Sequence, residues 1–170
     1  MPENSQQRVP TIRPFMQSDV DAVVELALLA WRPNFESFAD ILGTRIFAHL
    51  YHPTWRESQA ANVTQVCLDP HVDAFVVLAD AGDVAGYIAI AYDTDTDTGV
   101  VEQIAVHPDH QRRGYARALM EFAIEQFRDR GLTFANVGTG GDPGHAPARA
   151  LYEAMGYTGV PLMNYYIAIT

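Results

Sequence analysis

The segment from Val100 to Arg130 constrains the fold most, because its periodicity changes within a few residues. Val100 to Val106 is a β-branched apolar run with strand character, and Pro108 ends it. A turn through His107 to Gln111 follows. Gly114 to Arg130 then sets Ala116, Leu119, Met120, Ala123, Ile124 and Phe127 on one helical stripe, closed by Gly131. A strand that feeds directly into an amphipathic helix calls for a layered α/β arrangement. The junction also carries chemistry. A helix N-terminus offers unpaired N–H groups and the positive end of the helix dipole, which favour phosphate. Gly114 and Ala116 are small enough for backbone amides to approach a diphosphate, and Arg112, Arg113 and Arg117 add positive charge. The same residues also fit a tight turn with solvated arginines, and charge alone leaves both readings open.

The remaining chain supplies both kinds of element. Val9 to Pro14 reads as a strand, and Ser18 with Asp19 supplies caps for a helix over Val20 to Trp31. Pro33 interrupts, and Phe35 to Tyr51 is a second helix. Thr54 caps a third helix that runs to about Leu68. Ala74 to Ala79 and Val84 to Tyr92 form a hairpin across Asp80 to Asp83, and Leu132 to Val137 is a further strand. A glycine-rich loop precedes a helix over Pro147 to Met155, and Tyr165 to Ile169 has the pattern of a final strand. With no repeat or linker, residues 1–170 read as a single α/β domain.

Composition removes several function classes. The formal net charge is −10, and all 11 basic residues are arginines. Without lysine there is no Schiff-base chemistry and no P-loop. An acidic chain is a poor nucleic-acid binder. The single cysteine, Cys67, excludes an internal disulfide framework and a multi-cysteine zinc site. Met1 to Pro10 is polar, unlike a signal peptide, and no apolar run approaches the length of a membrane span, so a cytoplasmic protein without membrane contact is expected. No metal is expected either. Asp93, Asp95 and Asp97 imitate a calcium loop, but Thr98 and Ile104 stand where glycine and glutamate would be needed.

Two motifs carry a family resemblance. Gln111-Arg112-Arg113-Gly114-Tyr115-Ala116 matches the Q/R-x-x-G-x-G/A signature of the GCN5-related N-acetyltransferases. Ala148-Arg149-Ala150-Leu151-Tyr152-Glu153-Ala154-Met155-Gly156-Tyr157 resembles that family's A-x-x-L-Y-x-x-x-G-F/Y helix. The likeness is specific over about residues 100 to 159 and continues as element order over nearly the whole chain.

The resemblance implies a mixed, mostly antiparallel sheet with a V-shaped splay between central strands, flanked by helices. It implies acetyl-CoA as cosubstrate and an amine as acceptor, joined by direct attack in a ternary complex. Ile104, Ala105 and Val106 would lie along the pantetheine arm, and an amide near Val106 could face the oxyanion. The stretch Gln111, Arg112, Arg113, Gly114, Tyr115, Ala116 and Arg117 would hold the pyrophosphate. Tyr152 would protonate the departing thiolate, and Glu102 would serve as base or hold a water. His145 stands where the family often has a CoA-contacting asparagine, and it could equally be the base; Asp142 stands in the same loop. Family members commonly pair through their last strands, which makes a homodimer the expected assembly. The competing reading is a non-catalytic acyl-CoA-binding or sensing module. Trp31, Phe35, Phe38, Tyr51 and Trp55 either pack internally or line an acceptor pocket, and sequence does not choose between them.

Overall fold

A computed structural model describes residues 10–169. Five strands, β1 (Thr11–Pro14), β2 (Asp73–Leu78), β3 (Val84–Asp93), β4 (Thr98–Val106) and β5 (Phe134–Val137), form one sheet in sequence order. The first three pairings are antiparallel, and β4 with β5 is parallel. Around the sheet lie α1 (Val20–Leu50), α2 (Trp55–Leu68), α3 (Tyr115–Asp129) and α4 (Ala146–Ala154). Val9 of the expected first strand lies outside the described residues. No helix among the described residues is long and apolar enough to cross a membrane.

Strand alternation sorts the core into two layers. Val77, Ile88, Val101 and Val106 turn toward Leu119, Met120, Ala123 and Phe127 of α3 and Tyr152 of α4. Their neighbours Val76, Tyr87 and Ala105 turn the other way, onto Val23, Leu26 and Ala27 of α1 and Val63 and Cys67 of α2. Both sheet faces are therefore covered, which explains why β3 reads as a nearly continuous apolar run.

The sheet opens where the site will lie. β5 pairs with β4 only from Thr98 to Val101, so the remainder of β4, Glu102 to Val106, has no neighbour on that side. This is the splay that the resemblance implied.

Three expectations need correction. Pro33 does not end the first helix. The helix runs through it and breaks at Gly43, whose φ of 71° and ψ of 164° lie outside the helical region. Packing overrides the proline here: Phe35, just beyond it, stacks on Trp55 with ring centroids 4.5 Å apart. Asp19 precedes α1 without a side-chain bond to its N–H groups. Its carboxylate instead takes both guanidinium nitrogens of Arg13, at 2.7 and 2.9 Å, and the Met16 N–H at 2.8 Å. The Arg13 hydrogen bonds hold Asp19 below the usual carboxylate range. Finally, Tyr165 to Ile169 forms no strand. A strand needs a partner edge, and none of the described residues pairs with this tail, which leaves Leu162 82%, Tyr165 86% and Ile167 83% exposed.

Local signals elsewhere hold. The Thr54 hydroxyl accepts the Glu57 N–H at 3.2 Å and donates to the Glu57 carboxylate at 2.6 Å, a side-chain N-cap at the start of α2. Gly131 closes α3 with φ 78°, its N–H bonded to the Arg128 carbonyl.

Candidate active site

A cleft of about 900 Å³ opens at the splay. Its floor is the unpaired part of β4. The His107 N–H bonds to the Ala85 carbonyl, and Val106 stands opposite Gly86 in the register. Val106 and, two residues back, Ile104 therefore occupy non-hydrogen-bonded positions of the β3–β4 ladder. Their N–H and C=O groups point away from β3, toward the open edge. Ala105 also lines the cleft, but it pairs inward with Tyr87, so its N–H and C=O face β3. The Val106 carbonyl accepts a 3.1 Å bond from Gln111 Nε2, which ties the following loop to the strand end.

That loop is shaped by positive φ values at Arg112 (61°) and Gly114 (86°). Gly114 is the N-cap of α3, and the bond from the Ala118 N–H to its carbonyl opens the helical ladder. The N–H groups of Tyr115, Ala116 and Arg117 thus have no partner within the helix, and all three residues line the cleft with Gln111, Arg112 and Gly114. Arg113 is not among the lining residues. A chain of donors at a helix start, flanked by Arg112 and Arg117, fits a diphosphate.

Tyr152 reaches the cleft from α4 and is 7% exposed. Burial, with the nearby Tyr157 adding to it, pushes its phenol up to about 12, so the hydroxyl keeps its proton. No hydrogen bond among the described residues engages that hydroxyl.

Glu102 sits on a β-bulge. Ala89 pairs with Gln103 and Ile90 with Val101, which leaves Glu102 as the extra residue of β4. Side-chain alternation along the strand is broken there, and Glu102 is exposed at the cleft. Beside it, Gln103 accepts from the Tyr87 hydroxyl at 2.9 Å and donates to Asn62 of α2 at 2.6 Å.

The glycine-rich loop after β5 comes back against α1. A Cβ at Gly144 would meet the Asn34 Cα and the Pro33 carbonyl at 2.8 Å, so only glycine allows this approach. His145 lines the cleft, while Asp142 stands behind it and does not. Of the five aromatics of the helical region, Trp31, Phe35 and Phe38 line the cleft. Tyr51 and Trp55 back them, with Phe35 packed edge-on against Tyr51 at 5.1 Å. Both roles left open by the sequence are therefore filled. Asn34 and Asn62 also line the cleft, and Ser37 meets the Gly144 N–H behind it, without any motif to announce them; only the aromatic density of α1 pointed there.

An open strand edge, a donor-rich helix start and a buried tyrosine meeting in one splay form a recognisable combination. A family model for the acetyltransferase (GNAT) family matches residues 25–157. The chain belongs to that family. A streptothricin acetyltransferase from Streptomyces lavendulae is 34% identical over 88 residues, 49% of this chain and 43% of that protein. A [ribosomal protein bS18]-alanine N-acetyltransferase from Escherichia coli K12 is 38% identical over 71 residues, 41% of this chain and 47% of that protein. These matches span less than half the length of either relative. The solved structure of aminoglycoside N-acetyltransferase AAC(6')-Iy in complex with CoA superposes with a TM-score of 0.62 at 18% identity. The alignment covers 100% of this chain and 99% of that one, and at this identity the likeness is one of GNAT fold.

Proposed function

We propose that this protein transfers an acetyl group from acetyl-CoA to an amine by direct attack in a ternary complex. The observation that carries the reading is the junction of the open β4 edge with the unpaired N–H groups at the start of α3. The edge suits the amide-bearing pantetheine arm, which would add to β4 as a strand does, and the loop suits the diphosphate. The thioester would then lie between the open edge and Tyr152.

The chemistry follows from what faces the cleft. An amine is mostly protonated near neutral pH and must lose a proton before it attacks. Two groups at the cleft could accept it, Glu102 and His145. As the new C–N bond forms, charge gathers on the carbonyl oxygen, where the outward Val106 N–H could meet it. As the C–S bond breaks, the Tyr152 hydroxyl would pass its proton to sulfur, and the second proton of the attacking nitrogen would restore the phenol. Cys67 supports transfer without an acetyl-enzyme. It is buried against Val63 and Tyr87, lies away from the cleft lining, and burial pushes its thiol up to about 11.

The acceptor is proposed to be cationic. Exposed Glu102 and the faces of Trp31, Phe35 and Phe38 suit an ammonium group. The relative named for alanine N-acetylation supports nitrogen as the acceptor atom. The exposed apolar tail further supports a homodimer, in which the tail would find the partner edge it lacks within one chain. Light scattering should give twice the chain mass for the full protein and the single mass after truncation beyond Gly159; a monomeric full-length protein contradicts the dimer.

Ligand-induced thermal stabilisation tests the binding half of the reading. CoA at a hundred times its dissociation constant should stabilise by about 2.7 kcal/mol, whereas ATP and NAD should not. Equal responses to all three, or none to CoA, contradict it.

A further inference from the structure

Asp142 and His145 form a pair buried more deeply than a loop requires. His145 Nδ1 stands 2.5 Å from Asp142 Oδ1, with the side chains 16% and 6% exposed. The second carboxylate oxygen accepts the Gly144 N–H at 3.0 Å, and the Ser37 hydroxyl oxygen of α1 accepts the same N–H at 3.4 Å, beside the carboxylate. Arg149 holds the loop from below by donating to the Gly140 and Asp142 carbonyls at 2.6 and 2.8 Å. A Cβ at Gly140 would come within 2.6 Å of His145 Nδ1, so the pair closes only over a glycine. The other side of the imidazole rests near the Phe38 ring, centroids 5.1 Å apart. Burial pushes the Asp142 carboxyl up, but hydrogen bonds from Ser37 and His145 outweigh it and hold the group below the usual carboxylate range.

Given acetyl transfer in this cleft, on which the assignment rests, we propose that His145 is the general base for the acceptor amine and that Asp142 is its positioning residue. A carboxylate on Nδ1 fixes the neutral tautomer that carries its proton there, leaving Nε2 as a bare acceptor. The ring lines the cleft, so Nε2 is the nitrogen available to the substrate. It takes one proton from the ammonium group, directly or through one water, and the imidazolium keeps its Nδ1–H on Asp142. The nitrogen lone pair then forms the C–N bond while the C–S bond breaks. His145 later releases its proton to solvent. Glu102 lacks such support: it is exposed on a bulge, and no hydrogen bond among the described residues fixes it. Its charge attracts the ammonium, and the proton goes to the held imidazole. Besides Asp142, the titratable or charged groups around the ring are Tyr51 just after α1, Arg149 on α4 and, lining the same cleft, Glu102, Tyr152, His110, Arg112, Tyr115 and Arg117.

The test compares wild type, His145→Gln and Asp142→Asn by thiol release from acetyl-CoA across pH, using an amine that the wild type acetylates. Near neutral pH, His145→Gln should lose about a hundredfold in kcat/KM. Its deficit should close as pH rises toward the amine's own pKa, because free amine then forms without a base. Stabilisation by CoA should not change. Asp142→Asn should lose less and keep a shifted acid limb. A wild-type rate and acid limb in His145→Gln overturns the assignment, and so does a deficit that stays constant at all pH. In a second arm, 15N-histidine NMR of the wild type reads the tautomer without any acceptor. Nδ1–H with bare Nε2 is expected, and the opposite tautomer overturns the assignment. Failure of the wild type to acetylate any amine would count against acetyl transfer itself, with the tautomer still deciding what the dyad can do.

Discussion

Tyr152→Phe is expected to lower kcat by about a hundredfold or more while leaving stabilisation by CoA unchanged. The substitution removes one oxygen from a ring that is 7% exposed and packed into the main core cluster, so the fold has little reason to change. It also removes the hydroxyl proposed to protonate the departing thiolate. Burial pushes that phenol up to about 12, which keeps it in the donor form through the whole working range. The same shift makes full transfer to a thiolate, whose ordinary pKa is about 8.5, uphill unless C–S cleavage and proton transfer occur together. The defect should therefore appear in kcat and not in KM for acetyl-CoA. A variant with unchanged kcat would take Tyr152 out of the acid role and leave it as a core residue.

Phe127→Ala should destabilise the protein by about 3–5 kcal/mol, read from urea or thermal unfolding. Phe127 is 2% exposed, and its ring fills the space above Gly99: a Cβ at Gly99 would overlap the ring directly. Tyr92 meets the same ring edge-on at 5.9 Å. The contact seats the C-terminal half of α3 on β3 and β4, and the N-terminal end of that helix carries the proposed diphosphate loop. Set against a typical domain stability of about 5–15 kcal/mol, such a loss is large. A loss below about 1 kcal/mol would mean that α3 is not held through this contact.

Much of this layout was legible because its signals are local. The stripe on α3, the glycine at its start, the Thr54 cap and the α4 motif each depend on residues within a turn or two. What escaped depends on partners far along the chain. The bulge at Glu102 is a property of register against β3, and a single strand does not carry that information. Pro33 looked like a break because propensity disfavours it, yet packing of Phe35 on Trp55 carries the helix through. Tyr165, Ile167 and Ile169 alternate as a strand should, but alternation does not supply an edge to pair with. The Asp142–His145 spacing was visible, whereas Ser37, which accepts the Gly144 N–H between them, lies far upstream and belongs to no motif.

Acetyl transfer from acetyl-CoA to an amine is tested most directly by thiol release from the purified protein against a panel of amines. The panel should include aminoglycosides, a streptothricin and a peptide with an N-terminal alanine. Acetyl-CoA-dependent release that needs an amine is expected, with one acetylated product formed per thiol. CoA binding without release on any amine would contradict catalysis and leave a non-catalytic acyl-CoA binder.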